Sequence, residues 1–222
     1  MHKIYWLCSA FEEKLTYASS MRLNSELCRR NPEHATKQRW SRPIKVIGPV
    51  RPATDFEWTV YGDVLLSSQV GKTLHEAGFS GFELRPAEIL TSTETPVGRE
   101  VFELSPNGWG GVAPVESGVR VLEKCPFCKR QVFSGYTNPA KLFDLDAWDG
   151  SDFFVIWPLP RRIMVTGRVG ELFLKSGYTG ARVRPLGDLP RAVAGKLGPG
   201  HLADWFDGAR LAEISQQVAR DD

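Results

Sequence analysis

The chain has 222 residues, 42% of them apolar and 11% aromatic, which is enough to bury one substantial core or two small ones and excludes a disordered tail. Lysine and arginine number 28 against 26 aspartate and glutamate, a formal net charge of +2, so no strong field commits the protein to nucleic acid or to an anionic membrane. Partners have to be argued from sites.

The opening run, Met1-His2-Lys3-Ile4-Tyr5-Trp6-Leu7-Cys8, is too short in apolar residues for a signal peptide and has no small residue before Cys8 for a lipoprotein cleavage site. It reads as a first strand. No apolar run approaches the ~20 residues that span a bilayer, and the expected location is the cytoplasm. Four cysteines in a chain of this length do not make a disulfide framework, so in a reducing compartment metal binding is their expected use.

Self-similarity gives the chain its organisation. Trp58 to Pro86 aligns without a gap on Trp157 to Pro185, with identities at Val70-Gly71 and Val169-Gly170, Gly78 and Gly177, Gly81 and Gly180, and Arg85-Pro86 and Arg184-Pro185. Each copy reads as strand, short helix, strand. Val64-Leu65-Leu66 or Ile163-Met164-Val165 runs into Ser67-Ser68 or Thr166, whose hydroxyl is expected to cap the helix. Val70 and Leu74, or Val169 and Phe173, supply the buried helical face, and Gly78 or Gly177 the left-handed stop. The second strand is expected to end at Arg85-Pro86 or Arg184-Pro185, because proline donates no ladder hydrogen bond. Trp58 and Trp157 are expected in matching core environments.

Between the copies, Val101-Phe102-Glu103-Leu104 reads as a strand and Pro106 to Gly111 as a loop. Val119 to Leu122 and Gln131-Val132-Phe133 form a hairpin with Cys125-Pro126-Phe127-Cys128 at its tip. Leu202, Trp205, Phe206, Leu211, Ile214 and Val218 suggest a closing helix pair. The predicted fold is therefore α+β, with tandem duplicated strand-helix-strand units and a central zinc-binding β-hairpin. It divides into residues 1–50 contributing to a metal site, 51–100 as the first repeat, 101–147 as the hairpin, and 148–222 as the second repeat with C-terminal helices.

The C-x-x-C spacing lets two thiolates from one turn take adjacent corners of a tetrahedron around Zn2+. Cys28-Arg29-Arg30-Asn31-Pro32-Glu33-His34 offers a thiol and an imidazole across a polar loop, so the expected ligands are Cys28, His34, Cys125 and Cys128. Cys8, in an apolar strand, reads as a buried small hydrophobe, with its exchange for Cys28 or His34 left open. Four protein ligands close the site and make it structural.

Apparent catalytic motifs fail on inspection. Gly71-Lys72-Thr73 lacks the earlier glycine of a phosphate loop, where Leu66 stands, and falls within the predicted helix. Asp144, Asp146, Asp149 and Asp152 lack the glycine of a calcium loop, since Asp149 occupies its position. His75 and His201 have no nucleophile at a recognisable spacing, so no enzyme is expected.

The C-x-x-C tip, Trp148-Asp149-Gly150-Ser151-Asp152-Phe153-Phe154 with Trp157-Pro158-Leu159-Pro160, and Gly177-Tyr178-Thr179-Gly180 resemble the bacterial double-CXXCG motif proteins. The resemblance runs mainly from Leu122 to Leu189. Lys129 stands where that motif has glycine, and Asn31 where its first C-x-x-C has a second cysteine, which makes His34 the substitute ligand. Some members of that grouping are described as immunity proteins of polymorphic or contact-delivered toxin systems, so the resemblance implies a cognate protein toxin as partner. The alternative is a zinc-containing nucleic-acid-binding or regulatory module using Arg29, Arg30, Lys37, Arg39 and Arg42 near Trp40. Asp144, Asp146, Asp149 and Asp152 beside Trp148 have two readings. They are a solvated turn with Trp148 tucked inward, or a docking surface whose acids steer a basic toxin while Trp148 anchors it.

Overall fold

The computed structural model describes residues 3–48, 54–128, 130–190 and 195–197, and the expected C-terminal helix pair lies outside them. The fold is mixed α+β, mostly sheet with two helices. In chain order the first strands are β1 (Ile4–Ser9), β2 (Thr16–Tyr17), β3 (Leu23–Leu27), β4 (Ala35–Trp40) and β5 (Ile44–Ile47). Then come β6 (Phe56–Trp58), β7 (Val64–Ser67), helix α1 (Ser68–Glu76), β8 (Phe82–Leu90), β9 (Val101–Pro106) and β10 (Gly108–Val112). β11 (Val121–Lys124), β12 (Gln131–Ser134), β13 (Phe153–Trp157), β14 (Met164–Thr166), helix α2 (Gly167–Ser176), β15 (Ala181–Pro185) and β16 (Lys196–Leu197) complete the described elements.

Two larger sheets carry the helices. The six-stranded sheet has the order β2-β5-β8-β9-β7-β6 and the five-stranded sheet β10-β13-β14-β1-β15. Apolar side chains from both sheets and both helices share one core, which includes Phe56, Leu66, Val70 and Leu74 with Phe153, Val165, Val169 and Phe173. The other face of the six-stranded sheet is covered by the chain between β2 and β5, which packs Ala18 and Met21 on Ile44, Leu65, Ala87 and Val101. The five-stranded sheet is covered in the same way, with Val119, Phe133 and Leu142 packed near Trp6, Phe154 and Met164. Each covering segment carries a small hairpin, β3-β4 or β11-β12.

The helices form for the reasons read in the sequence, with one difference. Ser67 Oγ accepts the Val70 amide at 3.4 Å and caps α1. Thr166 precedes α2 but makes no cap bond, because its hydroxyl donates to Asp152 Oδ1 at 2.7 Å. Both helices run into glycine in the left-handed region, Gly78 at φ +65° and Gly177 at φ +61°, where a side chain would be strained.

Three expectations are corrected. β8 does not end at Pro86 but continues to Leu90; Pro86 lies opposite Phe102, and pairing with β5 begins only at Ala87, so the missing donor falls where the strand has one neighbour. Pro106 to Gly111 is not a loop. Its glycines form β10, pressed against β13, where a Cβ at Gly110 would meet the Phe154 ring at 2.5 Å. Trp58 and Trp157 do not occupy matching positions: Phe56 lies opposite Leu66 as Phe153 lies opposite Val165, and Trp58 opposite Val64, whereas Trp157 extends beyond. Trp58 accordingly lies in the shared core and Trp157 in the core beneath the five-stranded sheet. The polar loop that carries Cys28 and His34 is present, as the turn of the β3-β4 hairpin.

Candidate metal centre

Two hairpin turns meet at the site. In the first, the Cys28 amide donates to the His34 carbonyl at 2.8 Å and the His34 amide to the Asn31 carbonyl at 3.0 Å, so thiol and imidazole emerge side by side from the turn. Asn31 shapes it further by accepting the Glu33 amide on Oδ1 at 3.0 Å. In the second, the Cys125 amide donates to the Arg130 carbonyl at 2.8 Å, closing the tip of β11-β12 around Cys125 and Cys128. The Arg30 guanidinium stacks over the Phe127 ring at 4.9 Å and bridges the two tips beside the site.

The ligand atoms of Cys28, His34, Cys125 and Cys128 all lie within 4.8 Å of one another. His34 Nδ1 is 3.7 Å from Cys128 Sγ. A tetrahedral ion with metal–sulfur bonds of about 2.3 Å and metal–nitrogen bonds of about 2.0 Å holds its ligands roughly 3.6 to 3.8 Å apart, so the four atoms need only small shifts to share one. They are close enough to bind a metal ion. All four cysteines are free thiols, Cys28 is buried, and the other three ligands are half-buried. The backbone amides of Cys128 and Phe127 aim at Cys125 and, with His34, bring its thiol down to about 6. Desolvation pushes the Cys128 thiol up, with Cys125 and Cys28 adding to the effect. Cys125 thus favours its thiolate, whereas Cys128 holds its proton more tightly and would have to release it on binding a cation. On the far side of the imidazole, Asn31 Nδ2 lies 3.2 Å from Nε2; a metal on Nδ1 would leave the ring proton on Nε2, facing this amide.

The other sequence candidates are placed elsewhere. Cys8 lies in β1 with its thiol against the Arg182 carbonyl at 3.5 Å, outside the cluster, and burial raises its thiol. Gly71-Lys72-Thr73 is internal to α1, as expected. In the acidic segment, Asp146 and Asp149 are exposed and Asp144 is half-buried. Asp149 accepts the Trp109 amide at 2.8 Å and the Ser151 hydroxyl at 2.6 Å, so it also ties the turn together. Asp152 is only 5% exposed and takes no part in an acidic surface: it accepts from Thr166, the Ser80 amide and Arg168. Trp148 is half-buried against Phe143 and Phe154, with its indole donating to the Ser151 carbonyl at 3.0 Å. Among the basic residues, Arg42 pairs with the buried Glu103, Arg30 is on Phe127, and Trp40 packs on Tyr17 with ring centroids 4.1 Å apart.

Sequence reading missed the support given by Asn31 and the Arg30–Phe127 bridge. The Asn31-Pro32-Glu33 run is a turn signal that could have drawn attention to the first. A scan against family models matches none, and a search of curated proteins finds no relative. Among the described residues, no helix is long and apolar enough to cross a membrane.

Proposed function

We propose that the protein is a zinc-stabilised, non-catalytic binding protein whose Cys28–His34–Cys125–Cys128 centre fastens the β3-β4 and β11-β12 hairpins together. The observation that carries this reading is the convergence of three sulfurs and one imidazole nitrogen from two separate turns. Three soft thiolates and one imidazole suit zinc in a closed tetrahedral shell, with no position left for a water to activate. The two strand-helix-strand segments are read as tandem copies, supported by their shared order and the paired stops at Gly78 and Gly177.

The resemblance to double-CXXCG proteins supports an immunity-type role in the cytoplasm, in which the chain binds and neutralises a cognate toxin. The exposed acids Asp146 and Asp149 are the part of the acidic turn open to such a partner, with Asp144 and Trp148 half-buried behind them. Engagement of Arg42, Arg30 and Trp40 within the fold weakens the nucleic-acid alternative. The test is co-expression with the neighbouring gene product. Rescue of growth, with a co-purified complex whose association slows in Asp146→Asn/Asp149→Asn, is expected. A non-toxic neighbour, or salt-sensitive micromolar binding to generic DNA instead, refutes the immunity reading.

A further inference from the structure

The strand registers extend the likeness of the two segments well beyond the stretch that aligns by sequence. In the six-stranded sheet, β9 lies between β7 and β8, the strands on either side of α1, with Ser67 opposite Val101 and Leu84 opposite Leu104. In the five-stranded sheet β1 holds the same place between β14 and β15, with Thr166 opposite Ile4 and Val183 opposite Leu7. β1 thus corresponds to β9 residue by residue, Ile4 to Val101 and Leu7 to Leu104.

The segments that leave these two strands also correspond. After β9 the Asn107 amide donates to the Gly81 carbonyl at 2.9 Å, and after β1 the Ala10 amide donates to the Gly180 carbonyl at 3.0 Å. Next, β10 pairs parallel with β13, while Leu15 bridges parallel to Thr59 beside β6. Each chain segment then makes a covering layer with a ligand-bearing hairpin: Cys28 follows β3 directly, and Cys125 follows β11.

The join between the halves is reciprocal. Asp55 Oδ2 accepts the Thr179 amide and hydroxyl, both at 2.8 Å, and the Asp55 amide donates to Thr179 Oγ1 at 2.9 Å. Asp152 Oδ2 accepts the Ser80 amide at 3.3 Å, and its own amide donates to Ser80 Oγ at 3.3 Å. The next residues repeat the exchange, Phe56 N–H to the Thr179 carbonyl and Phe153 N–H to the Ser80 carbonyl. At both crossings a glycine at φ +84° admits the other half's backbone: a Cβ at Gly81 would lie 2.1 Å from the Phe153 oxygen, and one at Gly180 would lie 1.9 Å from the Phe56 oxygen.

We infer that residues 4–90 and 101–189 are two copies of one unit, each inserting its leading strand, β1 or β9, into the sheet of the other, so that the partner each half is built to bind is a second copy of itself. The inference rests on the repeat reading above and extends it to the strand exchange and to the covering layers, which places the metal ligands on equivalent hairpins of the two copies. Low sequence identity hides it because equivalent positions on the faces turned away from the shared core diverge: Trp6 corresponds to Glu103 and Cys8 to Ser105. The groove between β14 and β15 is on this account an acceptor for one extended strand, and β1 fills it from the far end of the chain.

A circular permutant tests the exchange without adding or removing a residue. Opening the chain between the exposed Glu12 and Glu13 and joining Asp222 to Met1 makes β1 follow β15 in chain order as β9 follows β8, with β16 between them. The permutant is expected to be monomeric, to keep the native circular dichroism spectrum, and to melt within about 5 °C of the parent. In the unaltered protein, hydrogen exchange at the Leu7 amide, bonded to Ile163, is expected to match that of β9 amides within about tenfold. A permutant that does not fold, or β1 amides that exchange like a frayed terminus while β9 stays protected, overturns the inference. Metal content is read separately: a natively folded permutant that binds no metal leaves the exchange standing and counts against the zinc reading.

Discussion

Removing the metal is expected to cost stability of a size that the geometry sets. An ion shared by Cys28, His34, Cys125 and Cys128 would join two turns across most of the first half of the chain. In the chain-entropy model, closing a loop of roughly ninety residues restricts the unfolded state by about 4 to 5 kcal/mol. Structural zinc in small modules contributes ~10 kcal/mol or more, because those modules have no other core. Here three apolar clusters supply a core besides the metal site, so the cross-link figure is the relevant one. For a chain of this size, 1 kcal/mol shifts the melting temperature by roughly 2–4 °C, which makes the expected loss about 8–20 °C. Calorimetry of the protein purified without chelator, before and after exchange against one, measures it, with elemental analysis giving one zinc per chain beforehand. Cys125→Ser should reproduce the shift, and Cys8→Ser should leave metal content unchanged because Cys8 lies outside the cluster. Less than stoichiometric metal in the starting protein, together with a Cys125→Ser midpoint that moves by less than about 2 °C, refutes the reasoning.

The glycines and the buried acid give two further predictions. Gly180→Ala, at φ +84° and facing the Phe56 carbonyl, is expected to destabilise by about 3 kcal/mol or more, whereas Gly78→Ala, at φ +65° in open space, should cost about 1 kcal/mol. Equal urea midpoints for the two variants would remove the case for a close crossing at Gly180. Glu103 is 3% exposed, and burial raises its carboxyl above the usual range against the pull of Arg42. A raised folded-state value means that its contribution is full below about pH 4.5 and declines as pH rises through the folded value. Relative to the parent, Glu103→Gln should therefore gain stability between pH 4 and pH 7, and a difference that is flat across that window refutes the assignment.

The parts of the fold legible in sequence were those governed by local rules. Ser67, Val70, Leu74 and Gly78 carry start, face and stop of α1 within one short stretch, and the C-x-x-C spacing marked a hairpin tip by itself. Cys28 and His34 were legible as polar-loop ligands, but their hairpin was not, since β3 is exposed along its length and has no alternation to read. β10 escaped because three of its five residues are glycine, and what holds it is the parallel neighbour β13, far along the chain. The acidic segment misled because four carboxylates suggested a wholly solvated face, while the partners that bury Asp152 come from Ser80, Thr166 and Arg168. Strand exchange lies beyond any local rule, because it is a property of pairing between distant residues.

The Gly180 carbonyl accepts both the Ala10 amide and the Trp58 indole N–H, each at 3.0 Å, so one oxygen holds a group from the end of β1 and another from β6. In an NMR spectrum the Trp58 indole proton is therefore a single resolved probe of whether the two halves are seated. Its resonance would follow the docking of the halves during titration with denaturant or chelator, separately from the melting of either helix.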